Sequence, residues 1–206
     1  HMLEYCDRYM LLDNINEQDL QVFKETFLKL IKVSLWNTHG VQFLSKNPPH
    51  TGRVRLLLEM FPNAKFIYMK RNPYTVFEST RSFFKNTIVP LRLQNISEEQ
   101  FESNLLEVYR RLFYKFEEQK VRIPKGNLIE VKFEEFEREP MEMTEAIYQQ
   151  LDLPGFAESK DRIFKYIHLK DGYSKNHYKY DDNTLKTVEE NWGMALKAWN
   201  YSLEQS

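Results

Sequence analysis

A basic segment with a nearby hydroxyl begins at Lys70 and continues through Arg71, Asn72 and Pro73 to Ser79. Arg71 follows a run of β-forming residues, and Pro73 fixes φ for the start of a helix. The first-turn N–H groups of a helix lack internal acceptors, so an arginine beside them is suited to clamp a phosphate. Ser79 would add a hydroxyl donor. From the spacing alone, an ordinary surface arginine before a helix cap remains the alternative.

A second candidate segment, residues 45–53, contains Lys46 and His50. Pro48 and Pro49 restrict this loop, so we expect His50 to be held in place. An imidazole near its unperturbed pKa is the usual general base for removing a proton from a hydroxyl. Lys46 would neutralise charge on a transferring group. A plain surface histidine is the alternative.

Two further segments carry acidic or aromatic side chains. Residues 133–140 are rich in glutamate, which we interpret as a solvated turn and helix start, where acids are favourable. Residues 172–180 mix aromatic side chains with lysines, a composition that fits either a nucleotide cover or a packed connector. The sequence contains no glycine-rich phosphate loop, no metal-ligand spacing of Cys and His, and no Gly-x-Ser-x-Gly elbow.

The composition limits the class of protein. A chain of 206 residues with 42% apolar residues can bury one substantial core. Its 29 basic and 30 acidic residues nearly cancel, which argues against nonspecific nucleic-acid binding. The single cysteine fits a reducing compartment, so we expect a cytoplasmic protein. No apolar run approaches the roughly 20 residues of a membrane span.

Hydrophobic spacing and turn residues predict the elements that must position these side chains. The predicted helices cover approximately residues 17–36, 52–60, 74–84, 98–119, 140–151, 157–168 and 183–198. The predicted strands are residues 41–44, 65–69 and 127–132. Strands separated by helices indicate a parallel sheet, in which ligands bind beyond the carboxyl ends of the strands. The segment at residues 45–53 and the segment that begins at Lys70 each follow a predicted strand directly.

The order of these motifs resembles the sulfotransferases that use PAPS (3'-phosphoadenosine-5'-phosphosulfate) as donor. The matching stretches are residues 44–53, 61–66 and 71–73. In that family an arginine followed eight residues later by a serine holds the 3'-phosphate of the nucleotide. Arg71 and Ser79 match this pattern in residue type and spacing.

The resemblance extends over roughly residues 41–201. Residues 131–136 are similar to the family's Tyr-Glu-Asp-Leu segment, with Phe133 in place of the tyrosine beside the nucleotide. The loop that contains Tyr173 and Lys175, together with the ending at residues 192–201, is similar to the C-terminal segment of bacterial members. The resemblance therefore implies that Phe133, Tyr173 and Lys175 lie at the cofactor, with Lys175 near the 3'-phosphate.

This family implies an α/β fold, here an incomplete phosphate-loop-NTPase-like parallel sheet of about three strands flanked by helices. It also implies in-line transfer of a sulfuryl group from PAPS to the hydroxyl or amine of a small-molecule, lipid or carbohydrate acceptor, without a metal. His50 is then the candidate base, and Lys46 the residue that stabilises charge on the moving group. The family's histidine lies two residues after its lysine, whereas His50 lies four after Lys46.

Family members begin with a strand and a loop of the Arg-Ser-Gly-Thr-Thr type that grips the 5'-phosphosulfate, and the sequence has no such segment. We therefore interpret residues 1–2 as a cloning scar and residues 3–206 as the C-terminal part of a single sulfotransferase domain, inactive alone. An unpaired sheet edge would then favour a homo-oligomer or a covering helix. The alternatives are a noncatalytic nucleotide-binding or protein-interaction module on this scaffold, and a phosphate-loop kinase relative.

Overall fold

The computed structural model describes residues 1–89, 95–169 and 178–202. The helices are α1 Met2–Tyr5, α2 Glu17–Thr38, α3 Val54–Met60, α4 Pro73–Phe83, α5 Glu98–Lys120, α6 Phe133–Arg138, α7 Pro140–Gln150, α8 Phe156–His168 and α9 Asp182–Trp199. Wider π-helical turns cover Cys6–Leu11 and Phe84–Ile88, and a 3-10 turn covers Pro48–Gly52. The strands are β1 Phe66–Lys70 and β2 Leu128–Lys132. Every helix predicted from the sequence is confirmed, with small differences at the ends.

The two strands form a parallel sheet, as their separation by helices predicts. Phe66 pairs with Leu128 at one end of the ladder, and Lys70 pairs with Lys132 at the other. Both strands therefore end at the same edge of the sheet. The residues that follow them, at positions 71 and 133, lie beside each other. Within the described parts of the chain, no helix has the length and apolar character of a membrane span.

The prediction of a strand at residues 41–44 is wrong. Residues 41–42 form a bend and residues 43–44 have no regular structure. Val41 is 101% exposed and Leu44 83% exposed. A β-forming run becomes a strand only when a neighbouring strand and a packed face stabilise it. Among the described residues no strand pairs with this run, and the sheet has two strands rather than three.

The described chain separates into two compact units. The first comprises residues 1–64 and 107–123, and its core includes Cys6, Val54 and Phe116. Burial, followed by the charge of nearby Asp7, raises the pKa of the Cys6 thiol to about 11. Asp7 also pairs with Arg111 at 2.5 Å, which fastens the N-terminal turns to α5.

The second unit, residues 65–106 and 124–206, contains the sheet. Ile129 and Val131 of β2 pack against Ile147 of α7 and against Leu151, the residue that caps the end of α7. Alternate side chains of β2 therefore pack on this apolar layer, and the packing fixes the orientation of the strand.

A second apolar contact in this unit joins α4 to α9. Phe77 and Trp192 are both 0% exposed, and their rings meet edge to face with centroids 5.6 Å apart. The indole N–H of Trp192 donates to the carbonyl oxygen of Leu106 at 3.0 Å. Helix α4 is thereby held in one orientation relative to α9.

Side-chain caps set the helix starts that the sequence signals predict. The Asn72 side chain accepts from the amide of Tyr74 at 3.0 Å, with Pro73 as the first helical residue of α4. The Ser97 hydroxyl accepts from the amide of Gln100 at 3.1 Å, and this cap stabilises the start of α5. Such caps satisfy N–H groups that have no partner inside the helix.

Substituting alanine at Gly52 and at Gly193 is expected to change stability in opposite directions. A Cβ at Gly52 would lie 2.8 Å from both Leu11 Cδ2 and the carbonyl oxygen of Met10, whereas one at Gly193 would have no heavy atom within 4 Å. Overpacking should cost Gly52→Ala about 1–3 kcal/mol. Gly193→Ala should gain about 0.5–1 kcal/mol, because the site has open space and no positive φ, and alanine leaves the unfolded chain with fewer conformations to lose. Urea denaturation measures both, and an unchanged midpoint for Gly52→Ala contradicts the crowding.

Candidate functional site

The carboxyl ends of β1 and β2 bring a small group of side chains together in the second unit. We define the strand-end site by the residues that meet there, which are Arg71, Asn72, Phe133, Glu134 and Tyr201. Because Lys70 pairs with Lys132, the next residues, Arg71 and Phe133, are neighbours. The Arg71 guanidinium lies over the Phe133 ring, 4.6 Å from its centroid. Two residues predicted separately to lie at a nucleotide are thus in contact.

The guanidinium of Arg71 forms no hydrogen bond or ion pair with any residue in the described ranges. The adjacent Lys70, by contrast, forms an ion pair with Glu130, in which Nζ lies 3.2 Å from Oε2. Arg71 is half-buried against Phe133. A fixed cation without a carboxylate partner at a strand end is available to an anionic ligand.

The first turn of α4 has fewer available N–H groups than the sequence predicts. The Asn72 amide donates to Glu134 Oε1 at 2.9 Å, Pro73 has no amide hydrogen, and the Tyr74 amide donates to the Asn72 side chain. The amide of Thr75 is left without an acceptor among the described residues. The positive end of the helix dipole and this amide face the same end as Arg71.

Ser79 lies on α4 seven residues after Asn72, which is nearly two turns. Its side chain therefore leaves the helix on the same face as Asn72 and Thr75, away from Phe77. The Thr75 hydroxyl contacts the Tyr180 hydroxyl at 2.8 Å. The Ser79 hydroxyl is half-buried and forms no hydrogen bond to a described residue. Its joint action with Arg71 on one phosphate stays a prediction.

Glu134 and Tyr201 are functional candidates that the sequence interpretation missed. The acids of residues 133–140 were expected to be solvated, but Glu134 is half-buried and accepts two hydrogen bonds. Its position two residues after the end of β2 was the available signal. Tyr201, 67 residues further along, carries no local signal. Burial, then the hydrogen bond to Glu134, raises the pKa of Tyr201 above its usual value.

His50 and Lys46 belong to the first unit. His50 is held, as the prolines predict, within the 3-10 turn and against the ring of Phe27, with centroids 5.4 Å apart. Its Nε2 lies 3.0 Å from the Ser45 hydroxyl, and its Nδ1 is buried without a hydrogen bond to a described residue. Lys46 is exposed. Tyr173 and Lys175 lie outside the described residues.

Burial, followed by the charge of Arg53, lowers the pKa of His50 from 6.5 to about 4. At neutral pH the ring is therefore uncharged, as a general base requires. A conjugate acid with so low a pKa makes it a weak base, because general bases work best with a pKa near the operating pH.

The lowered pKa of His50 predicts a specific dependence of stability on pH. The unfolded chain binds a proton near pH 6.5 and the folded protein only near pH 4. The contribution of His50 to stability is thus constant above pH 6.5 and decreases as the pH falls from 6.5 to 4. Urea denaturation from pH 7 to 4.5 should show a smaller loss for His50→Gln than for wild type. His168→Gln, at an exposed histidine, should behave as wild type, and an unchanged His50→Gln profile contradicts the assignment.

Comparison with known proteins gives consistent results. Residues 4–158 match the profile of the sulfotransferase family. Two curated relatives, the omega-hydroxy-beta-dihydromenaquinone-9 sulfotransferases Stf3 of Mycobacterium bovis and Mycobacterium tuberculosis, are each 26% identical over 195 residues. The alignment covers 95% of this chain and 50% of each relative, so the chain spans about half the length of the curated relatives it matches.

A solved structure shares the fold. The sulfotransferase STF9 from Mycobacterium avium superposes with a TM-score of 0.63 at 19% identity, over 77% of this chain and 42% of that one. The helices around a small parallel sheet therefore correspond to part of a phosphate-loop-NTPase-like fold. With the family profile matching most of its length, this chain belongs to the sulfotransferase family.

Proposed function

We propose that this chain serves the transfer of a sulfuryl group from PAPS to an acceptor hydroxyl. One observation carries the proposal: the Arg71 guanidinium lies at the exit of β1, over the Phe133 ring, with no carboxylate partner in the described ranges. A guanidinium beside a helix N-terminus favours a phosphate. Membership of the sulfotransferase family favours the 3'-phosphorylated donor over other nucleotides.

Two residues of the strand-end site, Arg71 and Phe133, together with Ser79 of α4, suit the 3'-phosphate end of this donor. Arg71 supplies a planar pair of N–H donors, and Ser79 supplies a hydroxyl that no described residue occupies. The rise along α4 between Asn72 and Ser79 is about 10 Å, a gap that a long arginine side chain and a phosphate can bridge together. Phe133 offers an apolar edge beside the nucleotide.

For the transfer of the sulfuryl group we propose roles for His50 and Lys46. When bound, PAPS supplies the sulfuryl group. His50, neutral at pH 7, would take the acceptor proton at Nε2, in place of the Ser45 hydroxyl that lies 3.0 Å from it, since Nδ1 is buried. Lys46 would neutralise charge on the oxygens around sulfur.

The acceptor class follows from the relatives rather than from a pocket. Both curated relatives are named for an omega-hydroxy compound of the menaquinone class. We therefore propose an alcohol acceptor, with a lipid as the first class to test.

Calorimetry with three nucleotides tests the proposal. The product nucleotide 3',5'-ADP should bind at least about tenfold more tightly than 5'-AMP or ATP, because only it carries the 3'-phosphate. A preference for ATP would favour a kinase-like relative instead. Absence of binding at about 1 mM 3',5'-ADP would remove the main support for the nucleotide site.

A further inference from the structure

The Glu134 carboxylate joins three segments of the chain that are far apart in sequence. Its Oε1 accepts from the Asn72 amide at 2.9 Å, across 62 residues. Its Oε2 accepts from the Tyr201 hydroxyl at 2.6 Å, across 67 residues. One side chain thus connects the exit of β1, the start of α6 and the segment after α9.

These contacts fix Arg71 from two directions. The Asn72 amide belongs to the peptide unit that follows Arg71, so its hydrogen bond to Glu134 sets the backbone there. The residue before Glu134 is Phe133, whose ring supports the guanidinium 4.6 Å away. Consecutive residues of α6 therefore hold both the backbone and the side chain of Arg71.

We propose that Glu134 is a positioning residue, which holds the exit of β1 so that Arg71 meets the 3'-phosphate of the bound nucleotide. The inference rests on the proposed function, and it assigns Glu134 no contact with the ligand. Tyr201 completes the arrangement, because its hydroxyl donates a hydrogen bond to the second oxygen of the Glu134 carboxylate. The Lys132 ammonium, 4.7 Å from the Tyr201 ring centroid, holds that ring in place.

The direction of the change in nucleotide affinity distinguishes a positioning role of Glu134 from a purely electrostatic one. A carboxylate near an anionic ligand repels it, so loss of the charge alone should tighten nucleotide binding. Loss of the positioning contacts should weaken it, because Arg71 would no longer be held at the phosphate. A phenol is protonated at neutral pH, and burial raises the pKa of Tyr201 further, so its hydroxyl is a donor to Glu134.

The experiment compares 3',5'-ADP with 5'-AMP on the 206-residue chain, by calorimetry and, for weak binding, by saturation-transfer NMR. Glu134→Ala should raise the Kd for 3',5'-ADP by about 5- to 20-fold and the Kd for 5'-AMP by less than about twofold. Glu134→Gln keeps an acceptor for the Asn72 amide, so its loss should be smaller. Tyr201→Phe, which removes only the hydroxyl, should show a partial loss.

Glu135→Gln is the matched control, because it removes the same charge from an exposed neighbour on α6. It should leave 3',5'-ADP binding unchanged or slightly tighter. An equal loss for both nucleotides in Glu134→Ala, or tighter binding of 3',5'-ADP, overturns the inference alone. If wild type does not bind 3',5'-ADP, the proposed function fails and the positioning role fails with it.

Discussion

Replacing Arg71 with alanine is expected to weaken binding of 3',5'-ADP by about 10- to 100-fold. Hydrogen bonds to charged groups contribute about 1.5–3 kcal/mol each, and 1.4 kcal/mol corresponds to a factor of ten. Arg71→Lys keeps the charge but loses the planar pair of donors, so we expect an intermediate affinity. Calorimetry at constant ionic strength gives all three values.

The same substitution should leave folding nearly unchanged. The Arg71 guanidinium packs on the Phe133 ring, and such contacts are worth about 0.5–1 kcal/mol at accessible sites. Arg162→Ala, at an exposed arginine of α8, is the matched control for loss of one positive charge. An Arg71→Ala protein that binds 3',5'-ADP like wild type contradicts the nucleotide site.

The largest effect on stability is expected at Trp192. Trp192→Ala removes a side chain that is 0% exposed, packs edge to face on Phe77 and donates to the Leu106 carbonyl oxygen. Truncation of a buried aromatic residue costs about 3–5 kcal/mol, and domains of ordinary stability have only about 5–15 kcal/mol in total. Urea denaturation followed by circular dichroism should therefore show a marked fall in the midpoint.

Trp36 provides the control of the same residue type, since it is 81% exposed. Trp36→Ala should change the free energy of unfolding by less than about 0.5 kcal/mol. A Trp192→Ala midpoint equal to that of Trp36→Ala contradicts the packing of α4 on α9. Because α4 carries Ser79, we also expect Trp192→Ala to weaken nucleotide binding.

Local chemistry was enough to predict seven of the nine helices in the described residues, and the two strands that form, but not α1 and α6. The start of α4 follows from an Asn-Pro pair at residues 72–73, and the start of α5 from the hydroxyl of Ser97. These signals act within four residues, so no distant partner is needed. The contact between Arg71 and Phe133 was also predictable in outline, because parallel strands place their carboxyl ends together.

Interactions between distant segments decided what the sequence did not show. Residues 41–44 have β-forming side chains, yet a strand needs a neighbour, and none pairs with them in the described chain. The pKa of His50 depends mainly on burial beside Phe27 of α2, which its loop composition does not reveal, and to a smaller extent on Arg53 of the same segment.

The sequence by itself determined where most of the helices and both strands begin, and that a basic side chain follows β1. Only the tertiary structure decided which groups surround that side chain. Glu134 and Tyr201 are 67 residues apart, and their hydrogen bond exists because α7 and α9 fold back onto the sheet. Propensities and caps act over a few residues, whereas the partners of a polar side chain depend on the path of the whole chain.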